Sequence, residues 1–251
     1  AFVDYIGLKK VNDELVKKVM KGLLTGAKEA RIAIVGGETA IVPELLAGET
    51  DEMFDLSGTA LGMTQNNKLI LGNKIKIGDI ILGLESSGLH SNGYTLARKV
   101  LSKYSPDEIP EFITKPVGEE LLTPTRIYVQ PIMELIKDRK ITIHGLAHIT
   151  GGSFTKLKRL NNKVRYNLFD LSPPHGIFKQ IQKDGIIDLK EMYRTFNMGI
   201  GLCMILSKAN VDKTISIIEK YNMKVRQIGE VDSKGNGNVI GKVENKKYIF
   251  S

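Results

Sequence analysis

The sequence predicts an α+β protein in two parts, with mixed sheets and helices on one face of them. Three observations carry that prediction. Apolar strand-like runs and helical stripes interleave without strict strand–helix–strand regularity. A polar, glycine-punctuated stretch at 65–79 separates two groups of these elements. The length of 251 residues admits one large domain or two modest ones. Residues 1–66 therefore read as part of a first domain and 67–251 as a second.

The elements follow in order. AFVDYI at 1–6 reads as a buried strand. Asn12 is a candidate N-cap for a helix whose apolar stripe is Leu15, Val16, Val19, Met20, Leu23, Leu24 and Ala27. RIAIV at 31–35 reads as a strand that breaks at Gly36-Gly37, and FDLSGTALGMT at 54–64 as another. So few elements cannot close a core over 66 residues, so further strands are expected from additional chain or from a partner. In the second part, IILGL at 80–84 is a strand, followed by a helix from Gly93 to Tyr104 capped by Asn92. PTRIYVQPIMELIKD holds a helix with Pro124 near its first turn. ITIHGLAHI, VRYNLFD and GIGLCMIL read as strands, with a helix from Pro174 to Lys183 between the last two. NVDKTISIIEKY is an amphipathic helix, and KVRQIGEV, NVIGKV and KYIF are closing strands.

Composition narrows the function. No apolar run approaches ~18 residues, so no membrane-spanning helix is expected. The single cysteine excludes an internal disulfide and a cysteine-rich metal cluster, and Cys203 in LCMIL reads as a buried apolar thiol. These features fit a soluble, intracellular chain. The net charge of +8 is uneven: 7 basic and 10 acidic residues in 1–66 give −3, which leaves +11 in 67–251. Such a basic part suits an anionic partner, or else solvated lysine faces. Nucleic acid is not expected, because Trp is absent, aromatics make up 6% and no dense Lys/Arg run occurs.

Common nucleotide motifs are missing. GNGNVIGK at 235–242 resembles a phosphate-binding loop, but Asn236 stands at the first glycine position and Val243 follows the lysine. His144 and His148 lie four apart on a strand, which does not suit a catalytic zinc. Four loops at strand ends remain. VGGETA at 35–40 offers backbone N–H groups to phosphate and Glu38 to magnesium, or is a simple turn with a surface acid. SSGLHSNGYTLARK at 86–99 sets His90 among small residues before a helix N-terminus. His90 there is an acid, a base or a hydrogen-bond donor, or only part of a capped loop. AHITGGSF at 147–154 ends a strand and opens a helix-like turn, again suited to phosphate. EMYRTFNMGIG at 191–201 places Arg194 and Asn197 before a strand, where an arginine clamps phosphate or pairs with Glu191.

Together with LLTPTRIYV, these loops occur in the order and spacing of the aminoimidazole ribonucleotide synthetase (phosphoribosylformylglycinamidine cyclo-ligase) family, which the chain resembles from Phe2 to about Val231. The resemblance implies a two-domain ATP-binding synthetase of purine biosynthesis, cytoplasmic and homodimeric, with formylglycinamidine ribonucleotide as substrate and ATP with Mg²⁺. It implies that His90 and Asn92 lie at the reacting amide. Gly36, Gly37, Glu38, Thr39 and Asp4 would meet ATP, with Glu38 on the metal. Thr150, Gly151, Gly152, Arg194 and Asn197 would meet the substrate phosphate. It also implies further chain upstream of Ala1 bearing the family's DGVGTK-type and Asp/Asn motifs. Ile41 and Val42 replace residues of the family's GGETAEMP, and Ser153 stands where a third glycine is usual.

Overall fold

The computed structural model describes residues 1–48 and 50–250. They form two compact units: Ala1–Leu69 with Ile127–Gln130, and Ile70–Arg126 with Pro131–Ser251. The sequence reading put the boundary at 66–67 and gave no sign that 127–130 joins the first unit. That short segment, whose last two residues open a helix, carries no change of composition.

In the first unit, β1 (Phe2–Leu8) is the centre of a three-stranded sheet. It is parallel to β2 (Ile34–Ile41) and antiparallel to β3 (Phe54–Ala60). Helix α1 (Asp13–Ala30) begins as expected, with Asn12 Oδ1 accepting from Leu15 N at 3.0 Å. It runs further than expected, to a left-handed cap at Arg31. The strand expected at 31–35 therefore starts later and does not break at the glycine pair. Val3, Asp4 and Tyr5 pair with Gly36, Gly37 and Glu38, so cross-strand hydrogen bonding outweighs the weak strand preference of glycine. VGGETA is thus strand, not a phosphate-cradling turn.

The second unit holds a seven-stranded mixed sheet. Its strands are β4 (Ile80–Glu85), β5 (Ile143–His148), β6 (Val164–Leu168), β7 (Ile200–Leu206), β8 (Val225–Lys234), β9 (Val239–Val243) and β10 (Lys246–Ile249), in the order β10-β9-β6-β8-β4-β7-β5. β6 and β9 are parallel, and the other neighbours are antiparallel. The helices are α2 (Tyr94–Leu101), α3 (Val117–Leu121), α4 (Val129–Lys137, its first two residues counted with the first unit), α5 (Leu157–Leu160), α6 (Gly176–Gly185), α7 (Leu189–Thr195) and α8 (Val211–Glu219). The α+β class and the mixed sheets hold.

Helices expected on one face of the sheet cover both. Every residue of β7 is buried. Cys203 and Ile205 join a core with Ala97 of α2, Ile177 of α6 and Met192 of α7. Leu202, Met204 and Leu206 are buried outside that cluster, as are Ile217 and Ile218 of α8. Cys203 is a core thiol, and burial pushes its pKa up.

Two helix starts differ from expectation. Pro124 lies outside any helix or strand, while Pro131 occupies the first turn of α4, where its missing N–H has no helical partner to lose. Helix α7 was not foreseen, although Asp188 caps it by accepting from Glu191 N at 3.0 Å.

Candidate functional site

β4 and β5 both run antiparallel to β7, so the C-terminal ends of the first two meet the N-terminal end of the third. Three loops leave that edge of the sheet: 86–93, 149–153 and 196–199. Asn197 ties two of them together. Its Oδ1 accepts from Ser86 Oγ at 2.9 Å and from Gly199 N at 2.9 Å. Its Nδ2 donates to Gly88 O at 2.8 Å and Leu89 O at 3.1 Å. At 2% exposure with both ends of the amide engaged, Asn197 is a scaffold and not an open phosphate ligand.

His90 is also buried, with a left-handed backbone at φ 60°. Its Nε2 accepts from Ser87 N at 3.1 Å and Arg126 N at 3.5 Å, so that nitrogen carries no proton. Burial first, then the charges of His148 and Arg126, lower its pKa to about 4. The ring is therefore neutral at pH 7 and holds two backbone segments through Nε2. This differs from the titrating acid or base expected near neutral pH. His148 ends β5 with its ring 6.1 Å from that of His90, and partial burial and then the Lys156 charge lower its pKa.

Helix α2 is not capped by Asn92. Gly93 is the cap, at φ 75°, and a Cβ there would lie 2.3 Å from Phe196 Cε1. Asn92 is released to reach across the loops, where its Oδ1 accepts from Gly151 N at 2.7 Å. Its Nδ2 makes no hydrogen bond to the described residues.

The turn at 150–153 uses its own donors. Gly151 N goes to Asn92, Ser153 N to Thr150 O at 2.7 Å, and Thr155 N to Gly152 O at 3.1 Å. Those N–H groups are not open to a phosphate. Gly152, at φ 82°, leads into a 3-10 turn at Ser153–Lys156 and then α5, in place of one regular helix. Ser153 has a left-handed φ of 46°, and its buried Oγ donates to Phe196 O at 2.8 Å. Arg194 is 74% exposed with Glu191 3.7 Å away, the local pairing and not a clamp.

Arg126, within LLTPTRIYV, joins these loops through its backbone N–H on His90 Nε2, a role that its sequence neighbourhood does not announce. Its Nη2 is 3.3 Å from Glu85 Oε1, and its Nε is buried without a partner among the described residues. The hydroxyls of Ser91 and Thr125 lie 3.0 Å apart beside it. Neutral imidazole, free carboxamide N–H₂, hydroxyls and a fixed guanidinium suit recognition and charge stabilisation. They contain no nucleophile–base pair.

In the first unit, strand register puts Asp4 on the face of Gly37 and Glu38 on the opposite face with Tyr5. Glu38 is exposed, and its Oε1 accepts from Thr39 N at 3.1 Å. No group of three or more potential metal ligands occurs among the described residues. Asp4 and Glu38 thus do not make a magnesium site by themselves.

The AIR synthase related protein N-terminal domain matches residues 1–64, and the AIR synthase related protein C-terminal domain matches residues 76–242. The chain belongs to this family. Similar curated proteins are named phosphoribosylformylglycinamidine cyclo-ligase. That of Methanocaldococcus jannaschii is 49% identical over 258 residues, covering 100% of this chain and 72% of the relative. That of Methanococcus vannielii is 45% identical, covering 92% and 65%, and that of Pyrococcus furiosus is 48% identical, covering 88% and 63%. Among solved structures, hydrogenase maturation protein HypE in complex with ATP superposes with a TM-score of 0.69 at 17% identity, covering 100% of this chain and 72% of that one. Thiamine-monophosphate kinase from Stenotrophomonas maltophilia K279a gives 0.63 at 17% identity, covering 98% and 72%. These two likenesses show the shared fold. No helix among the described residues is long and apolar enough to cross a membrane.

Proposed function

We propose that the chain carries out ATP-dependent cyclisation of formylglycinamidine ribonucleotide to aminoimidazole ribonucleotide, with ADP and phosphate as the other products. The 49% identity to a cyclo-ligase across the whole chain carries this reading. In the first step the formyl amide oxygen attacks the γ-phosphorus of ATP, ADP leaves and the amide nitrogen loses its proton. The amidine nitrogen then attacks the activated formyl carbon. The C–O bond breaks, phosphate departs, the attacking nitrogen loses its proton, and a proton shift from the ring CH₂ to the exocyclic imine nitrogen gives the aromatic aminoimidazole. Such chemistry needs positioning and charge neutralisation more than a protein nucleophile.

Arg126 is held by Glu85 through Nη2, so in this reading its guanidinium neutralises the phosphoryl group. Asn92 Nδ2 donates to the activated oxygen. His90 is a positioning residue that fixes Ser87 and Arg126 through their backbones. Thr150, Gly151 and Gly152 shape the wall beside Asn92. Glu38 and Thr39, with Gly36 and Gly37 keeping their strand low, face ATP, and Asp4 supports them from the other side of the sheet. Mg²⁺ accompanies ATP with ligands beyond this set. A second copy of the chain, as in a homodimer, covers exposed Val35, Ile41, Phe54 and Leu56 of the first sheet. The protein works in the cytoplasm.

The test is incubation of the purified protein with formylglycinamidine ribonucleotide and ATP, following phosphate and the aminoimidazole product together. Equimolar appearance of both is expected. Phosphorylation of thiamine monophosphate without any cyclisation overturns the reading in favour of a kinase.

A further inference from the structure

The second unit carries a basic concavity beside α5. A cavity of about 760 Å³ opens there, lined by Asn73, Thr155, Lys158, Arg159, Asn161 and Lys163 among others. That volume lies in the range of small-molecule sites. Three of its lining residues are cations and none is acidic. Lys158, Arg159 and Lys163 make no ion pair with the described residues. Arg159 acts on a neighbour: Lys156 has a pKa lowered by burial first and then by the Arg159 charge. A concavity lined by cations without an acidic neighbour carries a positive potential that attracts an anion.

The walls are fixed by close backbone approaches. A Cβ at Gly237 would lie 2.5 Å from Lys158 Cγ, so the glycine of the loop that imitates a phosphate-binding motif grips the lysine stem instead. A Cβ at Gly72 would lie 2.2 Å from Leu160 O, which seats the opposite wall directly on α5. Asn161 is pinned on both ends, donating to Ile75 O and accepting from Lys163 N at 2.9 Å. The cavity is adjacent to the 150–153 turn, since Thr155 Oγ1 donates to Gly152 O at 2.6 Å.

We propose that the cavity bounded by Lys158, Arg159 and Lys163 binds the phosphate of a small phosphorylated metabolite. The assignment goes beyond the cyclisation reading and does not depend on it. Two lysines and an arginine lining one concavity without an acidic neighbour suit a compact polyanion, and the walls leave room for the organic part of the molecule.

The test is calorimetric titration of the whole protein with inorganic pyrophosphate at low and at physiological salt. Saturable binding at one site is expected, weakening as salt rises. Lys158→Gln with Arg159→Gln should weaken it about tenfold or more, which is the loss of roughly one charge-assisted contact. Lys246→Gln with Lys247→Gln on β10, exposed and outside the cavity, should leave it unchanged. Glutamine keeps most of each stem. Should the first double variant misfold, Lys163→Gln alone reads the same loss. Equal weakening in both double variants, or no saturable binding, overturns the proposal. So does a single-stranded RNA that binds more tightly than pyrophosphate and is lost with Lys158→Gln and Arg159→Gln.

Discussion

Gly36-Gly37 and Gly151-Gly152 both precede hydroxyl or acidic side chains, yet they sit in opposite kinds of backbone. The first pair is extended in β2, each residue bridged to β1. The second turns the chain at the end of β5, with Gly152 in the left-handed region. Gly36 has open space around it, whereas a Cβ on Gly37 would come within 2.6 Å of the Asp4 carboxylate. A Cβ on Gly151 would only touch Asn92 Oδ1, at 3.4 Å. Glycine therefore serves close strand approach in one unit and a turn in the other. Only the turn stands among convergent polar groups from distant parts of the chain. The difference teaches that a glycine pair marks a constraint on the backbone, and its neighbours decide whether chemistry follows.

The sharpest way to break this contrast is to remove the neighbour. Asn92→Ala deletes the acceptor for Gly151 N and the donor proposed to meet the activated oxygen. Turnover should fall by about 10²–10³, the scale for one preorganised donor, with a much smaller change in KM for ATP. A wild-type rate would reduce the turn at 150–153 to architecture, level with the strand at 35–40.

A second lever is pH. His90 is neutral in the folded chain, with its pKa near 4 against an ordinary 6.5. The unfolded chain takes up a proton between those values that the folded chain refuses. Stability is therefore full above about pH 6.5 and is lost progressively as pH falls toward 4, by roughly 3 kcal/mol at most. Urea titrations across that window should show the loss, and His90→Asn should flatten it, because asparagine tolerates the left-handed backbone and does not titrate. An unchanged slope in that variant would mean that the ring titrates normally and does not staple Ser87 to Arg126.

The glycine pairs themselves come next. Gly37→Ala should destabilise by about 1–3 kcal/mol through overpacking against Asp4, while Gly36→Ala should be close to neutral. Gly152→Ala should cost about 1–2 kcal/mol for its left-handed φ, and Gly151→Ala less. Thermal melts of the four variants check the order. Equal costs at 36 and 37 would remove the close approach to Asp4 from the account.

Much of this was legible in the sequence because it is local. IILGL and GLCMIL announce buried strands by unbroken apolar runs, and Asn12 announces α1 by its place before an apolar stripe. The loops around His90 and Gly151 stand out by small, polar residues at strand ends. What was hidden depends on partners far away in the chain. Nothing near Gly36-Gly37 reveals that β1 holds it extended. The preference for Asn92 as a cap lost to Gly93 because Phe196 packs where a side chain would project. Asn197 is a scaffold only because Ser86, 111 residues earlier, folds beside it. Arg126 gains its place from Glu85 and from the Nε2 of His90, neither of which its own neighbourhood predicts.

The smallest effect is expected at Arg194, and it still separates the two ways of reading the second unit. Beside a phosphate its guanidinium would be a clamp, and losing it would raise KM for the ribonucleotide about tenfold or more. In the fold its side chain is 74% exposed and faces Glu191 one turn away on α7. An exposed pair of this kind contributes little, since solvent screens the charges and both side chains lose rotamer freedom to meet. Arg194→Ala should change stability by less than about 0.5 kcal/mol and leave KM and turnover as they were. Arg126→Ala is the contrast within the same sheet edge. Its guanidinium is held by Glu85, and the carboxylate would lose this ion pair. Turnover should fall with Arg126→Ala and not with Arg194→Ala, read in the same phosphate-release assay. The reverse order would place the anion near α7 and take the phosphoryl group away from the loops joined by His90 and Asn92.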